Sequence, residues 1–207
     1  MSAFGSPSSK SEAIQPIDGT PPFGFAVFVV TAVPGVEAIT DRGRRIPLFH
    51  YEPAALPLRG RQVELRSDAD HRELLRWGEE RYLANTNQDV SKLKQLLKPQ
   101  PLANCHGWVF AGGRYGIEHL HIRDILKDND YAIVQEPQDA DLAVYTKDGE
   151  ITHSGIVRID SSGQLMVEGK LGPFSVFLHP TEAPPFADGC TFYHSSRRGH
   201  ALAIRPS

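Results

Sequence analysis

Cys105, His153 and Glu168 follow one another along the chain in the order nucleophile, base and orienting acid. A thiol attacks as its thiolate, so it needs a base beside it or backbone N–H groups directed at the sulfur. Cys105 follows Asn104, a residue type that caps helices, and precedes Trp108-Val109-Phe110, an apolar anchor that would turn the sulfur out of a first helical turn. The competing reading is a buried structural thiol, because free cysteine is among the most buried residue types. His153 and Gly155 interrupt the apolar run Ile151 to Val157, and a glycine inside a strand marks close approach by another chain or a ligand. The plain alternative for His153 is an edge-strand imidazole facing solvent. A turn centred on Ser161-Ser162 pairs His153 with Lys170 and sets Glu168 on the same face, one diagonal step away. From there the carboxylate fixes the imidazole tautomer that takes the thiol proton. A slip of one residue breaks this arrangement, and Glu168 then reads as a solvated charge beside Lys170.

Asn104, His106 and Trp108 flank the thiol and are the candidate substrate-binding residues. Cys105, His106, His119 and His121 suggest a zinc cluster. However, His119 and His121 alternate on an expected helix instead of sharing a face, so no metal and no cofactor are expected. His179 is held in reserve as an orienting partner in place of Glu168. Tyr193, His194, Arg197, Arg198 and His200 read either as a cleft lining or as a solvated edge. Gly112 to Gly116 lacks the Lys-Ser/Thr ending of a phosphate loop and reads as a turn between helices.

The elements that must position these residues change period midway. Up to Pro22 the chain is rich in Ser, Pro and Gly and is expected to be disordered. Short β-favouring stretches follow at Phe25–Val33, Val36–Thr40, Arg45–His50 and Gln62–Leu65, suggesting a small β-rich N-terminal part over 23–66. Helices are expected over His71–Leu83, from Asn87 or Asp89 to Leu97, from Asn104 to the Gly112-Gly113 stop, and over Ile117–Lys127. Then come short β-branched or aromatic runs at Asp141–Tyr145, Ile151–Ile159, Leu165–Val167, Phe174–Leu178, Thr191–Tyr193 and Ala201–Ile204, divided by Gly-containing turns. Helices first and consecutive strands afterwards is the α+β order, here with an antiparallel sheet, and 67–207 is its domain.

At 207 residues and 40% hydrophobic content the chain can bury a substantial core without disulfides or metal. Its net charge of −3, with basic residues scattered among acids, offers no footprint for nucleic acid or anionic lipid. Cys105 and Cys190 read as separate thiols, which suits a reducing compartment. The most apolar run, Phe23 to Val33, falls short of the roughly 20 residues of a membrane span. The first residues lack the pattern of a signal peptide, so the expectation is a cytoplasmic protein, with non-classical export left open.

The ordered motifs resemble the NlpC-like cysteine peptidases. Asn104-Cys105-His106-Gly107-Trp108-Val109 is similar to their nucleophile helix, and Asp141-Leu142-Ala143-Val144-Tyr145 to their Gly-Asp-Leu-aliphatic-aromatic strand. His153-Ser154-Gly155-Ile156-Val157 resembles their His-Val-Gly-Ile-aromatic strand. Val167-Glu168-Gly169 falls in the following strand, where that family carries a polar third residue, often His, and the related CHAP amidases an acid. The chain looks closest to an uncharacterised bacterial group sharing the Asn-Cys-His-Gly-Trp, Thr-His-Ser-Gly and Val-Glu-x-Lys runs. The resemblance implies a papain-like fold in which Cys105 attacks an amide, gives an acyl-enzyme, and is freed by water. Its substrates would be peptides, including peptidoglycan-like ones. The chain departs from the family's pattern in having Asn104, His106 and Ala140 where that pattern has an acid, a small residue and a glycine. Those departures support a second expectation, a catalytically inactive binding module of the same fold.

Overall fold

The computed structural model describes residues 28–53, 56–58, 61–63, 68–85, 89–182 and 187–206. The Ser/Pro/Gly-rich stretch up to Pro22 lies outside them. In chain order the strands β1 (Phe28–Ile39), β2 (Arg45–Pro53), β3 (Leu56–Leu58) and β4 (Arg61–Val63) precede helix α1 (Asp68–Asn85). Strand β5 (Lys94–Leu97), α2 (Cys105–Phe110) and α3 (Ile122–Asp128) lead into β6 (Ala132–Val134), β7 (Leu142–Lys147), β8 (Glu150–Ile159) and β9 (Leu165–Lys170). Finally come β10 (Val176–Pro180), β11 (Gly189–His194) and β12 (Ala203–Pro206). The fold is α+β with antiparallel pairing throughout the described ladders. A seven-stranded sheet runs β5-β10-β9-β8-β7-β11-β6, a three-stranded one β12-β1-β2, and β3 and β4 form a hairpin.

One cluster forms the main core. It joins Val109 and Phe110 of α2 and Ile122, Ile125 and Leu126 of α3 to Leu142 and Val144 on one face of the large sheet. Ala38, Ile46 and Leu48 of β1 and β2 belong to the same cluster, so the N-terminal strands share the core that carries α2. Burying side chains of this size stabilises by about 1.5–3 kcal/mol each, which holds the short α2 in place despite its six residues. The sheet's other face carries a smaller cluster of Ala143, Tyr145, Val157 and Val167.

Two expected helices differ from what forms. The apolar stripe Val90, Leu93, Leu96, Leu97 does not build a helix: a single 3-10 turn at Val90–Lys92, capped by Asp89, gives way to extended Leu93 and the edge strand β5. Pairing with β10 outweighs the helical spacing there, and Leu96 and Leu97 stay exposed. The helix expected over Ile117–Lys127 begins late. A 3-10 turn at His119–His121 precedes α3, because both backbone groups of Ile117 are engaged by the Asn104 side chain instead. The C-terminal strand also departs from expectation, since β12 leaves the large sheet and pairs with β1, Ala38 facing Ile204. Among the described residues no helix is long and apolar enough to cross a membrane.

Candidate functional site

Local capping places Cys105. The Asn104 side-chain oxygen accepts from the Gly107 N–H at 2.8 Å, and its amide donates to the Ile117 carbonyl at 2.7 Å, so the helix starts at the thiol and is tied to the segment beyond it. Two further hydrogen bonds clamp α2 to the sheet: His106 Nδ1 with Ser154 Oγ at 2.9 Å on β8, and Trp108 Nε1 to Glu168 Oε1 at 3.1 Å on β9. Gly112 and Gly113, both at positive φ, end the helix, with the Trp108 ring lying against Gly113. Asn104, His106 and Trp108, the candidate substrate-binding residues, therefore all hold α2 in position.

The structure does not bring the expected triad together. The β8–β9 loop contains Ser161, Ser162 and Gly163, one residue more than the two-residue turn assumed. Asp160 Oδ1 accepts from the N–H groups of Ser162 and Gln164, and Gly163 takes φ 83°. The register becomes Gly155 opposite Gly169 and Ile156 opposite Glu168, a slip of one residue. Glu168 then faces α2, where Trp108 and the Arg158 guanidinium, at 2.9 Å, occupy its two oxygens. Ser154 faces α2 as well, so alternation along β8 turns His153 to the opposite face. There His153 stands across from Tyr145, and its ring lies 5.8 Å from that of His179. Of the two residues considered as its orienting partner, His179 is the one beside it.

The two imidazoles meet over Gly169. A Cβ at that position would lie 2.5 Å from His153 Nε2 and 3.0 Å from His179 Nε2. His179 Nδ1 donates to the Pro180 carbonyl at 2.8 Å, which leaves Nε2 as the bare acceptor. Burial, then the neighbouring imidazoles His179 and His106, holds His153 neutral far below its ordinary range. Gly169→Ala should therefore destabilise the fold by about 2 kcal/mol in urea unfolding, since the rings must give way. A loss within about 0.5 kcal/mol would contradict the contact.

What does surround the sulfur is a different set. The backbone N–H groups of Ser154, His106 and Cys105 itself act on it, and so does the charge of Lys170. One step beyond the Gly155–Gly169 pair, Lys170 stands on the α2 side across from Ser154. Its side chain is 1% exposed and donates to the Phe174 carbonyl. Glu79 of α1, also buried, lies near enough to Lys170 to favour its charge and accepts from the Ser175 N–H at 2.6 Å. Tyr51 of β2 and Tyr82 of α1 lie near enough to Cys105 to feel its charge, and burial first, then Cys105, pushes both phenols far up. Burial raises the Cys105 thiol to about 11, against the pull of the N–H groups and Lys170. Burial brings Lys170 down to about 7, opposed by Glu79 and Cys105. His106 falls to about 3 through burial and remains neutral.

A thiol, an amine that burial brings down to about 7 and a buried carboxylate that favours that amine's charge are the group types a nucleophile, a base and its orienter require. Lys170 was legible only as the end of a run in which a second charge follows Glu168 on the same face of a short strand. Glu79 sits on a helix rich in exposed charge, and no sequence signal sets it apart. His119 and His121 lie on the 3-10 turn before α3, and among the described residues no group of three or more His, Cys, Asp or Glu is placed to hold a metal ion. No family model matches the chain, and comparison with the curated proteins and with the solved structures finds no match either.

Proposed function

We propose that this chain is a thiol-dependent hydrolase or acyl transferase of papain-like architecture that acts on peptide-type amide bonds through Cys105. The observation that carries the reading is a thiol that opens α2 with three backbone N–H groups and the charge of buried Lys170 acting on it, while buried Glu79 favours the charge on Lys170. A helix that opens on the thiol and packs against an antiparallel sheet supports the architecture. In this reading neutral Lys170 takes the thiol proton and the thiolate adds to the amide carbonyl. The N–H groups at the sulfur stabilise the oxyanion. The resulting ammonium protonates the departing amine, leaving a thioester, and Lys170 then draws a proton from the water that hydrolyses it. Neighbouring side chains must move aside for an acyl group to reach the sulfur, since Cys105 is only 7% exposed. Peptides, including peptidoglycan-like stems, are the proposed substrates.

A second reading has an observation of its own. Burial lifts the thiol to about 11 and β8 turns His153 away, as suits a non-catalytic interaction module of the same fold. Iodoacetamide alkylation of Cys105, followed site by site by mass spectrometry from pH 6 to 10, separates the two. If the enzyme reading holds, the parent alkylates readily at pH 7.5 although burial raises its thiol, because neutral Lys170 takes the proton as the sulfur reacts; Lys170→Met slows that reaction by about tenfold, while His153→Ala leaves it unchanged. Slow alkylation indifferent to Lys170 would leave the interaction module standing. A drop confined to His153→Ala would move the role of base to His153.

A further inference from the structure

Two buried imidazoles meet on the face of the large sheet turned away from α2, over a position where β9 carries no side chain. His153 and His179 are each 2% exposed. A Cβ on Gly169 would come within 2.5 Å of His153 Nε2 and 3.0 Å of His179 Nε2, so both nitrogens border the same small space. His179 Nδ1 is spent on the Pro180 carbonyl, which leaves the lone pair on Nε2. That nitrogen has no hydrogen-bond partner among the described residues. A buried acceptor in this condition is a destabilising feature unless something electrophilic joins it, and a glycine inside a strand is the residue type that leaves room for such a group.

The chemistry of the two nitrogens narrows what that group is. Burial holds both rings neutral, and His179 and His106 add to the effect on His153; a neutral imidazole is the form that ligates a metal. A carbon does not fit 2.5 Å from a nitrogen, whereas a metal–imidazole bond is shorter still, about 2 Å. Beside the rings stands Tyr145, its ring centre 5.5 Å from that of His153 and 6.2 Å from that of His179. The groups that act on the two imidazoles are other imidazoles and the Pro180 carbonyl, with no carboxylate or thiolate among them in the described residues. A divalent ion would therefore carry two uncompensated charges into a buried place, at a desolvation cost that rises steeply with charge. Copper(I) brings one charge, suits imidazole and, as a closed-shell ion, accepts two donors in line, whereas zinc(II) takes four.

We infer that His153 and His179 form a two-nitrogen site for a soft monovalent cation, copper(I), enclosed over Gly169 and separate from the Cys105 site. Each ring gives the ion its Nε2 lone pair. The probe is copper(I) as its acetonitrile complex, supplied without oxygen to the full chain carrying Cys105→Ser and Cys190→Ser, so that no thiol competes. It is present during refolding from urea, because both nitrogens are buried. One ion per chain should bind, raise the thermal midpoint and show two nitrogen ligands by X-ray absorption, and zinc(II) under the same conditions should do none of this. His179→Gln and His153→Gln should each lower the affinity by about 100-fold or more, since residues that only support a metal ligand already carry about 10- to 100-fold. His119→Gln, on the exposed ring of the His119–His121 pair, should leave it unchanged. If serine at either thiol position lowers the midpoint of the ion-free chain, alanine takes its place. Refusal of copper(I) by the refolded chain, full affinity in His179→Gln, or a preference for zinc(II) would overturn the site.

Discussion

Gly107→Ala should cost the fold about 3 kcal/mol or more, against an ordinary gain of up to about 1 kcal/mol for the same exchange inside a helix. A Cβ at Gly107 would lie 1.8 Å from the Tyr115 carbonyl oxygen and 2.9 Å from the Gly116 Cα. Both are backbone atoms, with no side-chain rotation to relieve the clash. The Tyr115–Gly116 backbone cannot retreat either, because Gly116 exchanges hydrogen bonds with Phe49 of β2 at 2.7 and 3.1 Å. The helix would have to lift from the sheet, breaking the His106–Ser154 and Trp108–Glu168 bonds that set the sulfur. Urea unfolding followed by tryptophan fluorescence measures the cost. Gly112→Ala is the control: it has positive φ and nothing within 4 Å, so only backbone strain of about 1–2 kcal/mol applies. Equal losses in the two variants would mean that α2 is not pressed onto this backbone.

The stability of the parent should rise by about 1 kcal/mol between pH 7 and 8, and Lys170→Met should flatten that rise. In the folded chain Lys170 releases its proton near 7, whereas the unfolded chain keeps it up to about 10.4. Between those values the unfolded state binds more protons, so stability increases with pH; the cost of the buried ammonium is complete below 7 and gone above the unfolded value. Cys105 and Cys190, both raised to about 11, act in the opposite sense from the unfolded thiol range of about 8.5 upward, which leaves pH 7 to 8 nearly clear of them. Glu79, which accepts from Ser175, would lose its buried counter-charge in the variant, so Lys170→Met with Glu79→Gln keeps the comparison balanced. The change in urea-unfolding stability between pH 7 and 8 is the quantity to read. A parent as flat as the variant would show that Lys170 is solvated.

The α+β order and the helix opening on Cys105 were legible because both rest on local features: a capping Asn104, the Gly112-Gly113 stop, and turns between short β-branched runs. The site was legible only in part. The strands on which His153 and Glu168 lie were found, but their relation hung on one residue of loop. Asp160 and Gly163 build a three-residue connection where Ser161-Ser162 alone suggests two. That parity sets Glu168 toward Trp108 and Arg158 and sends His153 to Tyr145 and His179. Glu79 reaches Lys170 across a long sequence separation, information that no local pattern holds. The strand at Lys94–Leu97 was missed for a related reason, as its helical spacing is outweighed by a partner, β10, far along the chain.

The pairing of β1 with β12 also bears on the order in which the protein can be made. On the edge away from β2, Ala38 and Ile39 find their ladder partners in Ile204 and Ala203, so on a ribosome the first sheet must wait, one edge open, until almost all of the described chain has been synthesised. Leu202 enters the core beside Phe110 through its N–H to the Phe110 carbonyl at 2.8 Å, tying that late event to the helix that bears the thiol. Vectorial synthesis therefore delivers the strands of the large sheet first and the closure of the β1–β2 sheet by β12 last.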